Sequence, residues 1–432
     1  MTQHNPSRRQ VLQGAAAAAL AAPIFIPASA LGRDGNPAPS DRLNMGCIGV
    51  GGMGRGNMGR FLGFNDVRVV AVCDVDDNQA AQAAKTVNDR YGNEDCAVYK
   101  DFRELIARDD IDVVMIATPD HWHALTALAA VRAGKDVYCE KPITHTHEEG
   151  VALCEAVAKH KRIWQTGSQQ RSTFNFRWGV ELVQNGVIGK LQHVEVGLPT
   201  GRQSPEHTPQ DPPSHVDYDF YCGPSEKIPF DPNRFHFNWR WNLNFGGGQL
   251  MDWINHHNDI AHWGMGVDDS GPVTVEATGE FPPEGRTDNA ARTYNIDCLY
   301  PNGVTTNIAN ATSERPMGTR FIGTDGWVFV DRGKFQASNE EWTQNDFDRG
   351  PIKAYESNDH HRNFIDCVKS RKQTICPPEV SHRSCTPGHL AYASMFTGRK
   401  LNWNPASQQI IGDDEAAKYL AFNPRGDWSL SG

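Results

Sequence analysis

A chain of 432 residues with 39% hydrophobic and 22% charged content is long enough for two domains with full cores. Its formal charge of −10, without any basic cluster, argues against nucleic acid as a partner. Its ten scattered cysteines include no Cys-x-x-Cys pair, so neither a zinc site nor a disulfide framework is expected.

The first 30 residues read as an address. Ser7-Arg8-Arg9-Gln10-Val11-Leu12 precedes an uncharged, alanine-rich stretch, Gly14 to Ile26, and then Ala28-Ser29-Ala30. A charged start, a short apolar middle and an A-x-A end make a secretory signal, and the paired arginines resemble a twin-arginine signal, which exports folded proteins. The apolar stretch is too short and too alanine-rich for a membrane span of ~20 residues. The twin-arginine export machinery is therefore an expected partner, and the periplasm or another exported location the expected site. Residues 31–42 follow as a flexible lead-in.

The organising stretch comes next. Met45 to Val50 is a short apolar run that reads as a buried strand. Gly49, Gly51, Gly52, Met53 and Gly54 form a G-x-G-x-x-G turn with one spare glycine, a helical pattern runs to Phe61, and a second strand, Val67 to Cys73, ends on Asp74. Asp74 lies 20 residues beyond Gly54, close to the spacing of a Rossmann dinucleotide site. The glycines let the backbone approach a pyrophosphate, whose charge is met by the N–H groups and dipole of a helix start. A carboxylate after the second strand accepts hydrogen bonds from the adenosine ribose and repels a 2′-phosphate. NAD is thus favoured over NADP, although Arg55 or a basic loop residue could meet that phosphate.

Strands and helices keep alternating. Helical Asp77 to Tyr91, strand Val98-Tyr99, helix Phe102 to Arg108 behind Asp101, and the buried strand Ile111 to Ala117 lead to a helix from His121 to Ala133. Strand Asp136 to Cys139 follows, and Thr146-His147-Glu148-Glu149 is a capping box for a helix reaching about Lys161. This alternation implies a parallel sheet covered on both faces, with ligands beyond the carboxyl ends of its strands. A Rossmann domain over residues 43–164 is expected. From about Gln165 the pattern changes to a helix, Phe174 to Asn185, and a strand, Leu191 to Gly197. A long proline-rich stretch, Pro199 to Phe237, then intervenes; a loop of that length usually lines a site or an interface. Gly246-Gly247-Gly248 opens a helix from Gln249 to Trp263, and strand-like segments separated by tight turns run from Val273 to Asp331. Helices Asp359 to Ser370 and Arg383 to Thr397 finish the chain. Residues 165–432 are expected to form a second domain on a mainly antiparallel sheet.

Two strand ends carry polar clusters, Thr118-Pro119-Asp120-His121-Trp122-His123 and Glu140-Lys141-Pro142. Lys141 could stabilise negative charge developing on a substrate oxygen. Asp252 and His256 share one helix face, where histidine suits proton abstraction from an alcohol and a carboxylate could orient it and raise its pKa. His257 points about 100° away, and Asp259 shares the His256 side. Arg171, Trp239, Arg240 and His257 are candidate substrate contacts; Trp239, Trp241 and Trp253 would equally serve sugar stacking or sheet–helix packing. No histidine cluster follows H-E-x-x-H or Cys/His ligand spacing, and no metal is expected.

Taken together, the glycine turn, the T-P-x-x-x-H of Thr118 to His123, Glu140-Lys141-Pro142, and Gly246-Gly247-Gly248 with Asp252 and His256 resemble the Gfo/Idh/MocA family over nearly all of the chain after residue 42. The resemblance implies an N-terminal Rossmann dinucleotide-binding domain followed by a domain with a large, open-faced, mainly antiparallel sheet. It implies Lys141, Asp252 and His256 as the catalytic set, with His256 the proton acceptor, and Thr118, Pro119, His123 and Glu140 along the cofactor. It also implies a homo-oligomer, a dimer or tetramer. The Pro199 to Phe237 stretch and Trp239-Arg240-Trp241 depart from the shared core and look like an exported bacterial subgroup. The expected activity is hydride transfer at a CH–OH group of a sugar, polyol or sugar derivative. Outside the cytoplasm there is no nicotinamide pool, so the cofactor would be retained. That makes a redox-neutral enzyme that cleaves glycosides, eliminates or epimerises the main rival, ahead of a non-catalytic sugar-binding protein.

Overall fold

This computed structural model describes residues 37–431, so the expected signal at 1–30 lies outside the described residues. Six strands form the first sheet: β1 (Leu43–Ile48), β2 (Val67–Cys73), β3 (Ala97–Tyr99), β4 (Val113–Ile116), β5 (Asp136–Cys139) and β6 (Trp164–Thr166). They are all parallel, in the order β3-β2-β1-β4-β5-β6. This is the doubly wound dinucleotide-binding topology, with its switch point between β1 and β4. Val113–Ile116 is buried at every position, as a strand covered on both faces must be. Helices α1 (Gly52–Leu62), α2 (Asp77–Tyr91), α3 (Phe102–Ile106), α4 (Asp120–Arg132) and α5 (His147–His160) connect the strands. The capping box of α5 forms as expected between Thr146 and Glu149.

The second domain begins with α6 (Phe174–Gln184) and β7 (Leu191–Leu198). The long stretch that follows is irregular apart from single turns such as α7 (Tyr218–Cys222), and it ends at α8 (Gly248–Met265). Strands β8 (Thr274–Glu280), β9 (Thr293–Leu299), β10 (Thr305–Asn310), β11 (Gly318–Gly323), β12 (Trp327–Asp331) and β13 (Lys334–Ala337) precede α9 (His360–Ser370) and α10 (Pro378–Thr397). The chain closes with β14 (Leu401–Asn404), β15 (Gln409–Ile410) and α11 (Asp414–Ala417). Nine strands make one sheet, β13-β12-β11-β7-β10-β9-β8-β14-β15. Only β7 with β10 pair parallel; the other neighbours are antiparallel. In β9, Tyr294, Ile296 and Cys298 are buried while Asn295, Asp297 and Leu299 face outward, so helices cover one face and the other lies open.

Two boundaries differ from the sequence reading. The parallel sheet extends past residue 164 through β6, and α9 folds back onto the first domain. There Phe364 packs 6.2 Å from Phe61 and 5.9 Å from Tyr138, and Arg362 pairs with Asp66 at 2.8 Å. Such a return cannot be read from local periodicity. Helix α10 starts five residues before the expected Arg383, because Pro378 occupies its first turn, where a missing N–H costs nothing. All ten cysteines are unpaired. No helix among the described residues is long and apolar enough to cross a membrane.

Candidate active site

The chain leaves β1 through Gly49, whose φ of 74° favours glycine and whose Cβ would stand 2.6 Å from the Thr118 nitrogen. A Cβ on Gly54 would lie 1.9 Å from the Gly49 carbonyl oxygen, so α1 can only seat against β1 with glycine there. Gly51 and Gly52 would meet nothing within 4 Å; their backbone borders open space at a helix N-terminus, the place an anion occupies. Asp74 sits beside them. Its carboxylate accepts from the Val50 N–H at 2.9 Å and from the Asp76 N–H at 3.0 Å, leaving each oxygen a further lone pair. Burial pushes this carboxyl up to about 6 against those two hydrogen bonds.

The cleft runs from Asp74 and Lys100 past Met53, Thr118 and Pro119 to Glu140 and Lys141. His123 braces its floor, with ring nitrogens 2.7 Å from the Pro142 carbonyl oxygen and 2.9 Å from that of Thr118. Burial drives its pKa down to about 4 against the opposing pull of those two carbonyl contacts. Glu140 accepts from the Asn57 amide at 2.8 Å, and burial raises its carboxyl above the ordinary range.

At the far end Lys141 crosses between the domains. Its Nζ donates to both the Asp252 carbonyl oxygen and Oδ1, each at 2.8 Å. Arg240 donates to the same Oδ1 at 3.2 Å. Burial opposes the charge on Asp252, but the two cations outweigh it and hold the carboxyl below its usual value. The expected pairing of Asp252 with His256 is not found, because that carboxylate is occupied by cations from two distant segments. His256 is 9% exposed, its Nδ1 has no partner, and its ring meets the edge of Trp253 at 5.2 Å. Its pKa moves opposite to expectation: burial, then Lys141 and Arg332, press it well below the ordinary histidine value.

Not every candidate lines the cleft: Asp252 and His256 are not among its lining residues, although Lys141 ties Asp252 to it. Arg171 is buried in an ion-pair cluster with Asp259 and Asp268, both at 2.7 Å, which also removes Asp259 from the site. His257 stacks on Trp253 and faces Gln170 and Asp331 behind α8. Trp239 and Arg240 do line the cleft, with the guanidinium 4.5 Å over the indole, so one face of Trp239 is already covered. The sequence reading missed Asp120, which is 2% exposed, lines the cleft and has an unpartnered Oδ1. An acid in the first turn of a helix reads as a dipole partner, and nothing local shows that Gly246 packs against it. It also missed Phe220, Tyr221, Phe235, His236 and Phe237, which form the opposite wall.

A family model described as an oxidoreductase family's NAD-binding Rossmann fold matches residues 43–168, and one for an oxidoreductase family's C-terminal alpha/beta domain matches residues 180–430. The chain belongs to the Gfo/Idh/MocA oxidoreductase family. A glycosyl hydrolase family 109 protein of Shewanella sp. (strain ANA-3) is 33% identical over 159 residues, 36% of this chain and 35% of its own length. The levoglucosan dehydrogenase of Pseudarthrobacter phenanthrenivorans is 34% identical over 158 residues, 34% of this chain and 39% of its own length. The chain thus matches little more than a third of either curated relative. The structure of an aldose–aldose oxidoreductase from Caulobacter crescentus, complexed with glycerol, shares the fold at a TM-score of 0.61 and 22% identity, covering 84% of this chain and 99% of that one. As a Gfo/Idh/MocA protein the chain takes NAD in its first domain. The open backbone at Gly51 and Gly52 suits the pyrophosphate, and the spare lone pairs of Asp74 suit the ribose hydroxyls.

Proposed function

We propose that this Gfo/Idh/MocA protein is an NAD-dependent oxidoreductase acting at a CH–OH group of a sugar, polyol or sugar derivative. The observation that carries the reading is Lys141 held by Asp252 at the end of the glycine-bordered cleft. An ammonium group has three donors; two are used on Asp252, and the third is free for a carbinol oxygen. There it stabilises the negative charge that develops as the C–H bond breaks. His256, neutral through burial, accepts the hydroxyl proton. Asp252 and Arg240 position the lysine. Bound NAD supplies the hydride acceptor.

The test is a panel of hexoses, inositols, alditols and anhydrosugars offered to the full chain with NAD, read by nicotinamide absorbance. At least one compound should reduce the cofactor, and Lys141→Ala should lower kcat by about 100-fold or more with NAD affinity unchanged. A Lys141→Ala variant with full turnover would contradict the role. A second reading is favoured by the glycosyl hydrolase family 109 relative: transient oxidation, then elimination, epimerisation or glycoside cleavage, then re-reduction. It predicts solvent deuterium entering the product beside the oxidised carbon without accumulation of NADH. The sequence of residues 1–30 supports export by the twin-arginine route, and the uncovered face of the nine-stranded sheet supports a dimer or tetramer.

A further inference from the structure

The wall opposite Asp74 comes from the second domain, and it is fastened to the first. Val216 forms a β-bridge with Asp76. The Asp77 N–H donates to the His215 carbonyl oxygen at 2.9 Å, and the Asp217 N–H to that of Val75 at 3.0 Å. His236, held at a φ of 49°, places Nε2 3.3 Å from Asp76 Oδ2. Phe220 stacks on Phe102 at 6.1 Å and 16°, and tilts against Trp122 at 5.2 Å. The cleft passes between these residues and Asp74, Val75 and Lys100.

The end of the chain fastens the wall a second time. Arg425 donates to the Asp219 carboxylate at 3.0 Å and to the Gly223 carbonyl oxygen at 3.1 Å. The Trp428 ring lies 4.9 Å from that of Trp122 and 6.1 Å from that of Phe220. Arg103, from the first domain, stands 5.5 Å over Trp428 and 5.7 Å over Phe220. An adenosine group held at Asp74 would be bordered by Phe220 and His236, each packed against or paired with the first domain.

We propose that Phe220 and His236 are cofactor-binding residues supplied by the second domain, Phe220 pinned by residues 421–431 and His236 by Asp76, so that bound NAD(H) does not exchange during turnover. This rests on the NAD-dependent reading above and sets the class of reaction. A carbinol would give its proton to His256 and its hydride to bound NAD, becoming a carbonyl. With the cofactor retained, a second carbonyl would have to take back the hydride, and a proton from the protein, before the next turnover. That acceptor is either a separate aldose or ketose or the oxidised substrate after it has been rearranged.

The test uses the full chain loaded with NADH and mixed with excess NAD, following loss of bound NADH fluorescence. The wild type should exchange more slowly than it turns over. Phe220→Ala and Asp219→Ala should exchange at least about ten-fold faster. The Asp219 side chain is exposed, so its variant keeps the test open if Phe220→Ala does not fold. Wild-type exchange within seconds, or variants that exchange at the wild-type rate, would overturn the proposal. A chain that binds no NADH would overturn the oxidoreductase reading as well, whereas one that binds and exchanges rapidly overturns this proposal alone.

Discussion

Two carboxylates in the cleft are set in opposite directions by their surroundings. Asp252 meets two cations that hold its carboxyl below the usual value, while burial pushes that of Asp74 up to about 6 against its two N–H donors. The ribose contact of Asp74 needs its charged form, which accepts hydrogen bonds at both oxygens. NAD affinity should therefore weaken as pH falls through about 6, and Asp74→Asn should bind NAD more weakly with a flatter profile; titration calorimetry from pH 5 to 8 checks this. Lys141 and Asp252 were both named from motif and position, and the structure pairs them. The sequence reading mispaired Asp252 because i,i+4 spacing shows neighbours on one helix, whereas Lys141 arrives from 111 residues away. Arg171 was misread for the same reason: its two acids are 88 and 97 residues distant.

The turn from β1 to α1 divides its glycines between two duties, and they should separate by mutation. Gly54→Ala drives a methyl into the Gly49 carbonyl, so α1 must move off the sheet. It should cost on the order of 1–3 kcal/mol, the usual range for overpacking, and weaken NAD binding as well. Gly52→Ala meets nothing in the protein and should leave the melting temperature unchanged or higher, while NAD affinity falls at least about ten-fold because the methyl enters the pyrophosphate space. Equal loss of stability in both variants would contradict this division. Most elements on either side were legible, because strand, glycines, helix and acid follow one another in the chain. The Pro199 to Phe237 stretch was legible only as a long loop. Its function as a wall depends on contacts with Asp76, Phe102 and Trp122, which no local pattern encodes.

Several histidines are buried among the described residues of the whole molecule, and burial opposes their protonation. Burial lowers His147 to about 2, His121, His360 and His389 to about 3, and His382 to about 4. In the unfolded chain each titrates near 6.5. Their contribution is therefore fully present above about pH 6.5 and is lost as pH falls toward the folded values, by up to about 1.4 kcal/mol per histidine per pH unit. Glu149, raised to about 8 by burial, and Asp74 act in the opposite sense, but the histidines outnumber them. The melting temperature should drop steadily from pH 7 to pH 5; a flat profile would mean that these rings are not shielded from water as their burial requires.

The proposed chemistry at the domain junction requires that the protein hold NAD. The most direct measurement is mass spectrometry of the small molecules released when the natively purified protein is denatured. NAD or NADH should be released in near-stoichiometric amount. Protein that releases none, and that shows no affinity for added NAD, would contradict it.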